Sequence, residues 1–400
     1  MSLSRFGPKT EQLIRRALIF DAMLLSGGNL VFNRIVLLAI LVLLASLLKS
    51  PISLLRRELA GIWIAIASIF TLALIGGGEF NIAANAIRLA NFAGAFLLVV
   101  VYIDKDRRQI SDDLWPMLHF FAFQALATVI LSIIIPGAFR IFTINDGEYH
   151  TILMIFTYHI YLQDSARLFR PDGFFWEPGV LQIYLNIYLF LAIFTYRRLG
   201  IAVLATISVI ATQSTSGIII ALGLISIGVL KFLATADMKL KLFGVIIAPV
   251  ILIPLVAVAV VNVNDKLFGE ARGSSWARQY DAITGFRIAA AYPLTGIGFD
   301  YDRYNQESEV YGYRDVDLND DHITDRGNTN SFSALFASLG FPMGLMIMIG
   351  LVRQRFFRER LTFSMIMLIS LSSESLLLTP FFSMLVFSGL LLPTTRRVVG

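Results

Sequence analysis

The sequence predicts an all-α, polytopic membrane protein with about twelve transmembrane helices, and three observations support this fold class. First, 56% of the 400 residues are hydrophobic and 15% are charged, whereas a soluble domain carries about 25% charged residues. Second, apolar segments of about 17–25 residues recur along the chain. Third, runs such as 36–48 and 245–261 lack the polar face of a soluble helix. Helices are expected because lipid offers the backbone no hydrogen-bond partners.

The apolar segments define twelve predicted spans within a single membrane domain, residues 1–400. The first span is short and carries Asp21, so it is either a true span or an amphipathic helix in the interface, which leaves eleven spans as the alternative. The predicted spans are 17–28, 30–48, 59–76, 84–103, 114–135, 179–196, 199–213, 216–233, 243–263, 331–352, 361–376 and 378–393.

Basic residues cluster in alternate loops, which predicts how the spans are oriented, because cytoplasmic loops carry an excess of Lys and Arg. Twelve spans put all the clusters and both termini in the cytoplasm. Two long loops, 136–178 and 264–330, then face outwards, and the second holds twelve Asp or Glu against seven Lys or Arg. The basic clusters are Lys49 with Arg56 and Arg57; Lys105, Arg107 and Arg108; Arg197 and Arg198; Lys239 and Lys241; Arg353, Arg355, Arg358 and Arg360; and Arg396 with Arg397.

The composition excludes several classes of site. The chain contains no cysteine, so disulfides, thiolate metal sites and a cysteine nucleophile are ruled out, although the cellular compartment is not identified. The formal charge of +5 is spread over short clusters between spans, which is typical of membrane orientation and not of nucleic-acid binding. We expect no cleavable signal peptide, because Arg15, Arg16 and Asp21 interrupt the first apolar stretch.

Three polar patches in the two long loops are candidates for chemistry. The first is Arg170–Gly179, with the sequence RPDGFFWEPG, directly before a predicted span. The second runs from Arg278 through Arg287 to Pro293–Phe299, PLTGIGF. The third is Gly327–Asn330, GNTN, which leads into another span. Arginines in two of these patches are suited to phosphate, because guanidinium binds it bidentately and keeps its proton.

These patches resemble motifs of the superfamily of Wzy-type polymerases and O-antigen ligases. The R-x-x-G-F-F-x-x-P pattern from Arg170 is similar to the first signature of that family, and Arg278 with the PLTGIGF segment resembles its second arginine segment. Arg287 and Gly298 also resemble an R-x10-G pattern of some polymerases. The motifs cover about residues 165–345, and the layout of spans and loops covers the chain.

The resemblance implies a fold similar to the GT-C class of glycosyltransferases, with a large periplasmic loop. It implies an enzyme that polymerises oligosaccharide repeat units linked to undecaprenyl diphosphate into O-antigen or exopolysaccharide, with inversion of configuration at the sugar carbon. The implied partners are these glycans, membrane lipid and a chain-length regulator protein, with no nucleic acid and no cofactor. The implied location is the bacterial inner membrane.

Within this hypothesis, Arg170 and Arg278 contact the departing lipid diphosphate, and Arg287 is the third candidate. Placed where negative charge develops, such groups stabilise the transition state more than the ground state. The alternative is that these arginines only pair with the abundant acids of the outer loops.

A general base is also expected, because a sugar hydroxyl attacks the anomeric carbon. The family's ligases carry a histidine at the position that aligns with Thr329, so its absence favours a polymerase over a ligase. Glu177 and His322 are the candidate bases. Their alternatives are that Glu177 only complements the dipole of the following helix and that His322 is an idle loop residue.

Three further residues are candidates for substrate binding. Trp176 offers a ring on which a sugar can stack, although Trp and Tyr also enrich membrane interfaces. Asn330 ends the third patch. Arg88 lies inside a predicted span, so it must face protein or a water-filled cavity, and pairing with Glu79 or Glu374 is the structural alternative.

No essential metal is expected. The segment Asp315–Asp320 begins like a calcium loop, but Asp320 replaces the required glycine and Arg326 replaces the closing glutamate. The functional hypothesis is therefore a metal-independent polymerase. The alternatives are an O-antigen ligase that transfers polymer to lipid A core, and a flippase or transporter for lipid-linked oligosaccharide, since transporters place polar residues at the membrane midplane.

Overall fold

The computed structural model describes residues 6–29, 31–49, 51–76, 82–144, 147–159, 169–235, 237–268, 272–312 and 328–393. Fourteen α-helices lie in these ranges, and each of the twelve predicted spans coincides with one of them. The helices are α1 (Pro8–Leu25), α2 (Arg34–Leu48), α3 (Ala60–Gly76), α4 (Ile82–Tyr102), α5 (Arg107–Ile134), α6 (Pro178–Phe190), α7 (Leu199–Ala211), α8 (Thr215–Thr235), α9 (Met238–Phe268), α10 (Arg272–Ala291), α11 (Tyr301–Tyr311), α12 (Ser331–Val352), α13 (Arg360–Leu371) and α14 (Pro380–Leu390).

The prediction of an all-α multi-pass membrane protein is confirmed. Among the residues that the structure describes, six helices are long and apolar enough to cross a bilayer, and five shorter apolar helices accompany them. The first predicted span is the second half of α1, where Leu18–Leu25 is buried in the hydrophobic core and packs against α2, α5 and α14. Asp21 is only 5% exposed there. A lipid-facing amphipathic helix would leave its apolar side uncovered by protein, whereas this segment is enclosed.

Three of the predicted basic clusters meet at one end of the bundle, called here the basic end. Lys49 and Arg56 both pair with Asp104, at 2.8 and 2.5 Å. Arg355 donates to the backbone of Leu391, and the N–H of Leu392 donates to Glu58. α1 begins and α14 ends at this end. Arg396 and Arg397 lie outside the described residues.

The opposite end, called here the loop end, carries a four-stranded antiparallel sheet that the sequence did not lead us to expect. The strands are β1 (Arg140–Ile144), β2 (Gly147–Ile152), β3 (Phe156–His159) and β4 (Arg170–Pro171), in the order β1-β2-β3-β4. Side chains alternate between its faces, so Tyr149 and His159, which are paired across β2 and β3, share one face. His150 and Tyr158 share the other face.

Two helices that begin at the loop end, α10 and α12, pack side by side. The segment after α10 packs against the middle of α12, where the N–H of Phe341 donates to Pro293 at 2.8 Å and the N–H of Ile297 donates to Ala337 at 2.9 Å. Gly340 has φ of +71° and interrupts the helical geometry of α12. A Cβ at Gly340 would lie 2.7 Å from the carbonyl of Leu294, so this crossing requires glycine.

Candidate functional site

Charged side chains from four distant segments meet at the loop end. The segments are the end of β3 with the turn after β4, the start of α6, the middle of α10, and the connection between α13 and α14. The group they form, called here the carboxylate cluster, consists of His159, Asp172, Glu177, Arg278 and Glu374.

Glu177 and Glu374 form the centre of the carboxylate cluster. Glu374 makes a side-chain hydrogen bond with Glu177, and two carboxyl groups can share such a bond only when one of them carries a proton. Arg278 lies beside this pair, with Nη2 3.9 Å from Glu374 Oε1. That separation is too long for a hydrogen bond, and the Arg278 side chain is 31% exposed. The guanidinium is therefore held near the acids and still reaches solvent.

Gly179, in the first turn of α6, makes room for the acid pair. A Cβ at this position would lie 2.2 Å from Glu374 Oε1 and 3.6 Å from the carboxyl carbon of Glu177. Glu374 itself is 4% exposed. Its backbone carbonyl accepts a hydrogen bond from the hydroxyl of Ser331, which also accepts from the N–H of Leu376 at 2.9 Å. The loop after α13 is thus fixed against the start of α12.

The environment keeps Glu177 ionised. Burial raises the pKa of this carboxyl, but the hydrogen bonds from Glu374 and Trp176 and the positive charges of Arg278 and His159 outweigh burial, so its pKa lies below the usual value. The Trp176 indole donates to Glu177 Oε1 at 3.1 Å. A carboxylate with a depressed pKa is a weak proton acceptor. We therefore interpret Glu177 as the anion that holds Arg278 and Trp176 in place.

Asp172 and His159 form the second part of the cluster. Asp172 is fully buried, and both of its oxygens lie within 3.0 Å of His159 Nδ1. Burial raises the pKa of Asp172 to about 6, although His159 and Arg170 lower it. The backbone fixes the pair, because the N–H of Asp172 donates to Thr157 at 2.8 Å.

Arg170 lies at the same end of the bundle as Arg278. It is half-buried on β4, and its Nε donates to the carbonyl of Thr212, just beyond α7, at 3.1 Å. Its charge acts on Asp172, while that of Arg278 acts on Glu177. The two predicted diphosphate ligands therefore each lie near one acid of the carboxylate cluster, and these two acids act on each other.

Trp176 is held on three sides. Its indole donates to Glu177, its carbonyl accepts from the Tyr149 hydroxyl at 3.2 Å, and its N–H donates to Gly27 at 3.2 Å. The Arg34 guanidinium lies 5.7 Å from its ring centroid. The ring of Trp176, predicted to stack on a sugar, therefore borders the carboxylate cluster. A tryptophan that served only as a membrane-interface residue would not need this position.

Arg287 faces away from the carboxylate cluster. It follows Arg278 by nine residues on α10, and at about 100° per residue the two side chains lie on opposite faces of the helix. Arg287 Nη1 donates to the carbonyls of Tyr311 and Gly312 at 3.4 and 3.2 Å, at the C-terminus of α11. This arrangement is typical of a helix-capping arginine.

The third sequence patch has a structural role in starting α12. The Asn330 Oδ1 accepts from the N–H groups of Phe332 and Ser333 at 3.0 and 3.1 Å, which makes Asn330 the N-cap. Thr329 is bonded to Asp281 of α10. These contacts place the predicted substrate ligand Asn330 at the helix start and engage its side-chain oxygen there.

One other described candidate, Arg88, is not brought to the carboxylate cluster. Arg88 lies with its guanidinium carbon 4.2 Å from the ring centroid of Phe299, and Glu374, one of its proposed partners, lies beside Arg278 instead. The other proposed partner, Glu79, lies outside the described residues. His322 and the segment Asp315–Asp320 also lie outside them.

Sequence reasoning missed His159 and Asp172, and it considered Glu374 only as a partner of Arg88. Asp172 stands inside the first motif, so its position was a usable signal. His159 could have been found through the strands, because Asn145-Asp146-Gly147 is a hairpin signal between β-branched and aromatic runs. For Glu374 the predicted span 361–376 was misleading, since α13 ends at Leu371.

Comparison with known proteins gives one match. Residues 200–348 match the family model Wzy_C, described as O-antigen ligase. The matched range contains Arg278, Arg287 and Thr329, whereas Arg170 precedes it and Glu374 follows it. No curated protein and no solved structure matches the chain at a significant level.

Proposed function

We propose that this chain polymerises lipid-linked oligosaccharide repeat units. The match of residues 200–348 to the Wzy_C family model supports the proposal. The donor is a growing glycan on undecaprenyl diphosphate, and the acceptor is the terminal hydroxyl of another lipid-linked unit. The reaction takes place at the loop end, which faces the outside of a bacterial inner membrane while the basic end faces the cytoplasm.

The observation that carries the proposal is that Arg170 lies near Asp172 and Arg278 near Glu177, two acids that act on each other. The Arg278 side chain is 31% exposed and lies 3.9 Å from Glu374 Oε1, so its N–H donors can turn to a diphosphate without breaking a short contact with that residue. Glu177 limits the movement of Arg278 through its charge. Such preorganisation reduces the rearrangement that is needed as charge develops.

In the proposed reaction the acceptor hydroxyl oxygen forms a bond to the anomeric carbon of the donor. The bond between that carbon and the diphosphate oxygen breaks, its electron pair leaves with the lipid diphosphate, and the proton of the acceptor hydroxyl passes to a general base. Arg278 and Arg170 neutralise the leaving group. An arginine that meets developing phosphate charge can contribute about 10³–10⁵ in rate in phosphoryl transfer, which gives the scale of the effect.

An O-antigen ligase is the second candidate, because the matching family model carries that description. The two candidates share a donor and differ in the acceptor, which is lipid A core for a ligase. Thr329 favours the polymerase, since it occupies the position where the resembling ligases have histidine. Its hydroxyl and its N–H are both committed to Asp281.

The test uses purified protein in lipid vesicles with synthetic lipid-linked repeat units. We expect the parent protein to lengthen the glycan, and Arg170→Ala and Arg278→Ala each to slow extension by about 10²–10³-fold. Arg140→Ala is the matched control, because Arg140 is an exposed arginine of the same sheet as Arg170. We expect it to retain the parent rate.

The outcomes separate the candidates. Extension at the parent rate by folded Arg170→Ala and Arg278→Ala proteins would refute the arginine mechanism. Transfer to lipid A core without extension would identify a ligase. Movement of the lipid-linked unit across the vesicle with no new glycosidic bond would identify a flippase.

A further inference from the structure

The sheet at the loop end brings a histidine and a buried carboxylate together. β3 and β4 are antiparallel, and His159 pairs with Arg170 in their register. The chain then turns, so that Asp172 returns beneath β3 with its N–H bonded to Thr157 at 2.8 Å. The Asp172 oxygens lie 2.9 and 3.0 Å from His159 Nδ1. This distance is that of a direct hydrogen bond.

The contact with Asp172 selects one form of the imidazole ring. An ionised carboxylate only accepts hydrogen bonds, so Nδ1 of His159 carries the hydrogen and Nε2 carries the basic lone pair. Asp172 is ionised at neutral pH, because burial raises its pKa only to about 6, with His159 and Arg170 acting in the opposite direction. The pair thus has the arrangement in which a carboxylate orients a catalytic histidine.

The imidazole ring lies next to the residues assigned to the leaving group. His159 shares a face of the sheet with Tyr149, at 5.6 Å between ring centroids, and the Tyr149 hydroxyl donates to Trp176. A positive charge on His159 lowers the pKa of Glu177, so the ring lies close enough to the start of α6 for a proton gained there to act on this carboxylate. The His159 side chain is 10% exposed, so a substrate can reach it at the edge of the cluster.

We propose that His159 is the general base of this protein and that Asp172 is its positioning residue. The inference rests on the proposed glycosyl transfer and identifies a residue outside the three loop motifs. His159 Nε2 accepts the proton of the acceptor hydroxyl as its oxygen bonds to the anomeric carbon. The electron pair of the broken bond leaves with the diphosphate, and the imidazolium later returns its proton to solvent.

The charged groups around His159 set the pH dependence. They are Asp172 and Arg170 from β4 and the turn after it, Tyr149 from β2, and Glu177 at the start of α6. Below about pH 6, protonation of Asp172 removes the carboxylate that orients the His159 ring. The rate of glycan extension is therefore expected to fall as the pH decreases through that region.

The experiment compares His159→Gln with His150→Gln across the pH range, in the vesicle assay with synthetic lipid-linked repeat units. His150 is a matched control, because it lies on the adjacent strand, on the opposite face of the sheet, stacked on Tyr158. We expect His159→Gln to slow extension by about 10²–10⁴-fold and to abolish the acid limb of the profile. We expect His150→Gln to extend glycans at the parent rate and to show the same decrease in rate at low pH as the parent protein.

Asp172→Asn tests the positioning role separately. We expect a smaller loss, about 10–100-fold, together with a shifted acid limb, because the amide cannot orient the ring as the ionised carboxylate does. A purely structural role would lower the amount of folded protein and leave the pH profile of the remaining activity unchanged. Binding of the lipid-linked unit is measured in parallel and should change little in either variant.

Two results would overturn the inference while leaving the polymerase function intact. One is a folded His159→Gln protein that extends glycans at the parent rate with the parent pH profile. The other is loss of extension in His322→Gln together with full activity of His159→Gln, which would assign the base to His322. Failure of the parent protein to extend glycans at any pH would instead reject the proposed function itself.

Discussion

Asp281 Oδ2 accepts two hydrogen bonds from Thr329, at 2.9 Å from its backbone N–H and 2.6 Å from its hydroxyl. Asp281 is 3% exposed on α10, and Thr329 lies just before α12. The bond therefore ties two helices together at a position where the resembling ligases have a catalytic histidine. In this chain the position has a structural role.

Thr329→Ala is expected to destabilise the protein by about 1–3 kcal/mol, because a buried carboxylate loses a hydrogen-bond donor. Thermal unfolding in detergent measures the change. Thr329→Ser keeps the hydroxyl and should behave like the parent protein. If the alanine variant unfolds at the parent temperature, the bond to Asp281 does not hold α10 against α12.

Gly179→Ala is expected to reduce glycan extension and to destabilise the protein by about 1–3 kcal/mol, because the added methyl group displaces the Glu374 carboxyl. Gly223→Ala is the control, since nothing lies within 4 Å of its built Cβ in α8. A helix gains about 0.5–1 kcal/mol when alanine replaces glycine. Equal stability of the two variants would contradict the close contact at Gly179.

Asp172→Asn is expected to change how stability depends on pH. A carboxyl whose pKa is raised on folding contributes stability that is present below its unfolded pKa, 3.8, and is lost as the pH rises through about 6. Two pKa units correspond to about 3 kcal/mol. Unfolding of both proteins between pH 4 and 7 should show the parent losing stability relative to the variant as pH rises. If the stability of the two proteins changes with pH in the same way, folding does not shift the pKa of Asp172.

Arg287→Ala separates the two roles considered for this arginine. Because Arg287 caps the C-terminus of α11 from an exposed position, its loss should change stability by no more than about 0.5–1 kcal/mol. Glycan extension should stay within about twofold of the parent rate. A loss of extension as large as that of Arg278→Ala, in a protein that unfolds normally, would instead assign Arg287 to substrate binding.

The helices were predictable because lipid imposes a length and a composition on each span, and each predicted span has a helix. The sheet was not predicted, since its strands are short and mixed in polarity. The opposite directions of Arg278 and Arg287 follow from their spacing once α10 is known to be a helix. We predicted residues 264–330 as a loop because the segment is polar on average, and α10 was therefore not predicted.

The candidate site was predictable only in part. Arg170, Glu177 and Trp176 follow from one motif, and the structure brings them to the cluster. The partnership of Arg278 with Glu374 was not predictable, because 96 residues separate them and no local pattern links them. His159 was missed for a related reason, since its partner Asp172 is 13 residues away across a strand pairing.

Glu374 joins the cluster from the connection between the last two helices. During synthesis on a ribosome, every other member of the cluster leaves the exit tunnel before this residue does. The carboxylate cluster is therefore complete only after the connection between α13 and α14 has been synthesised.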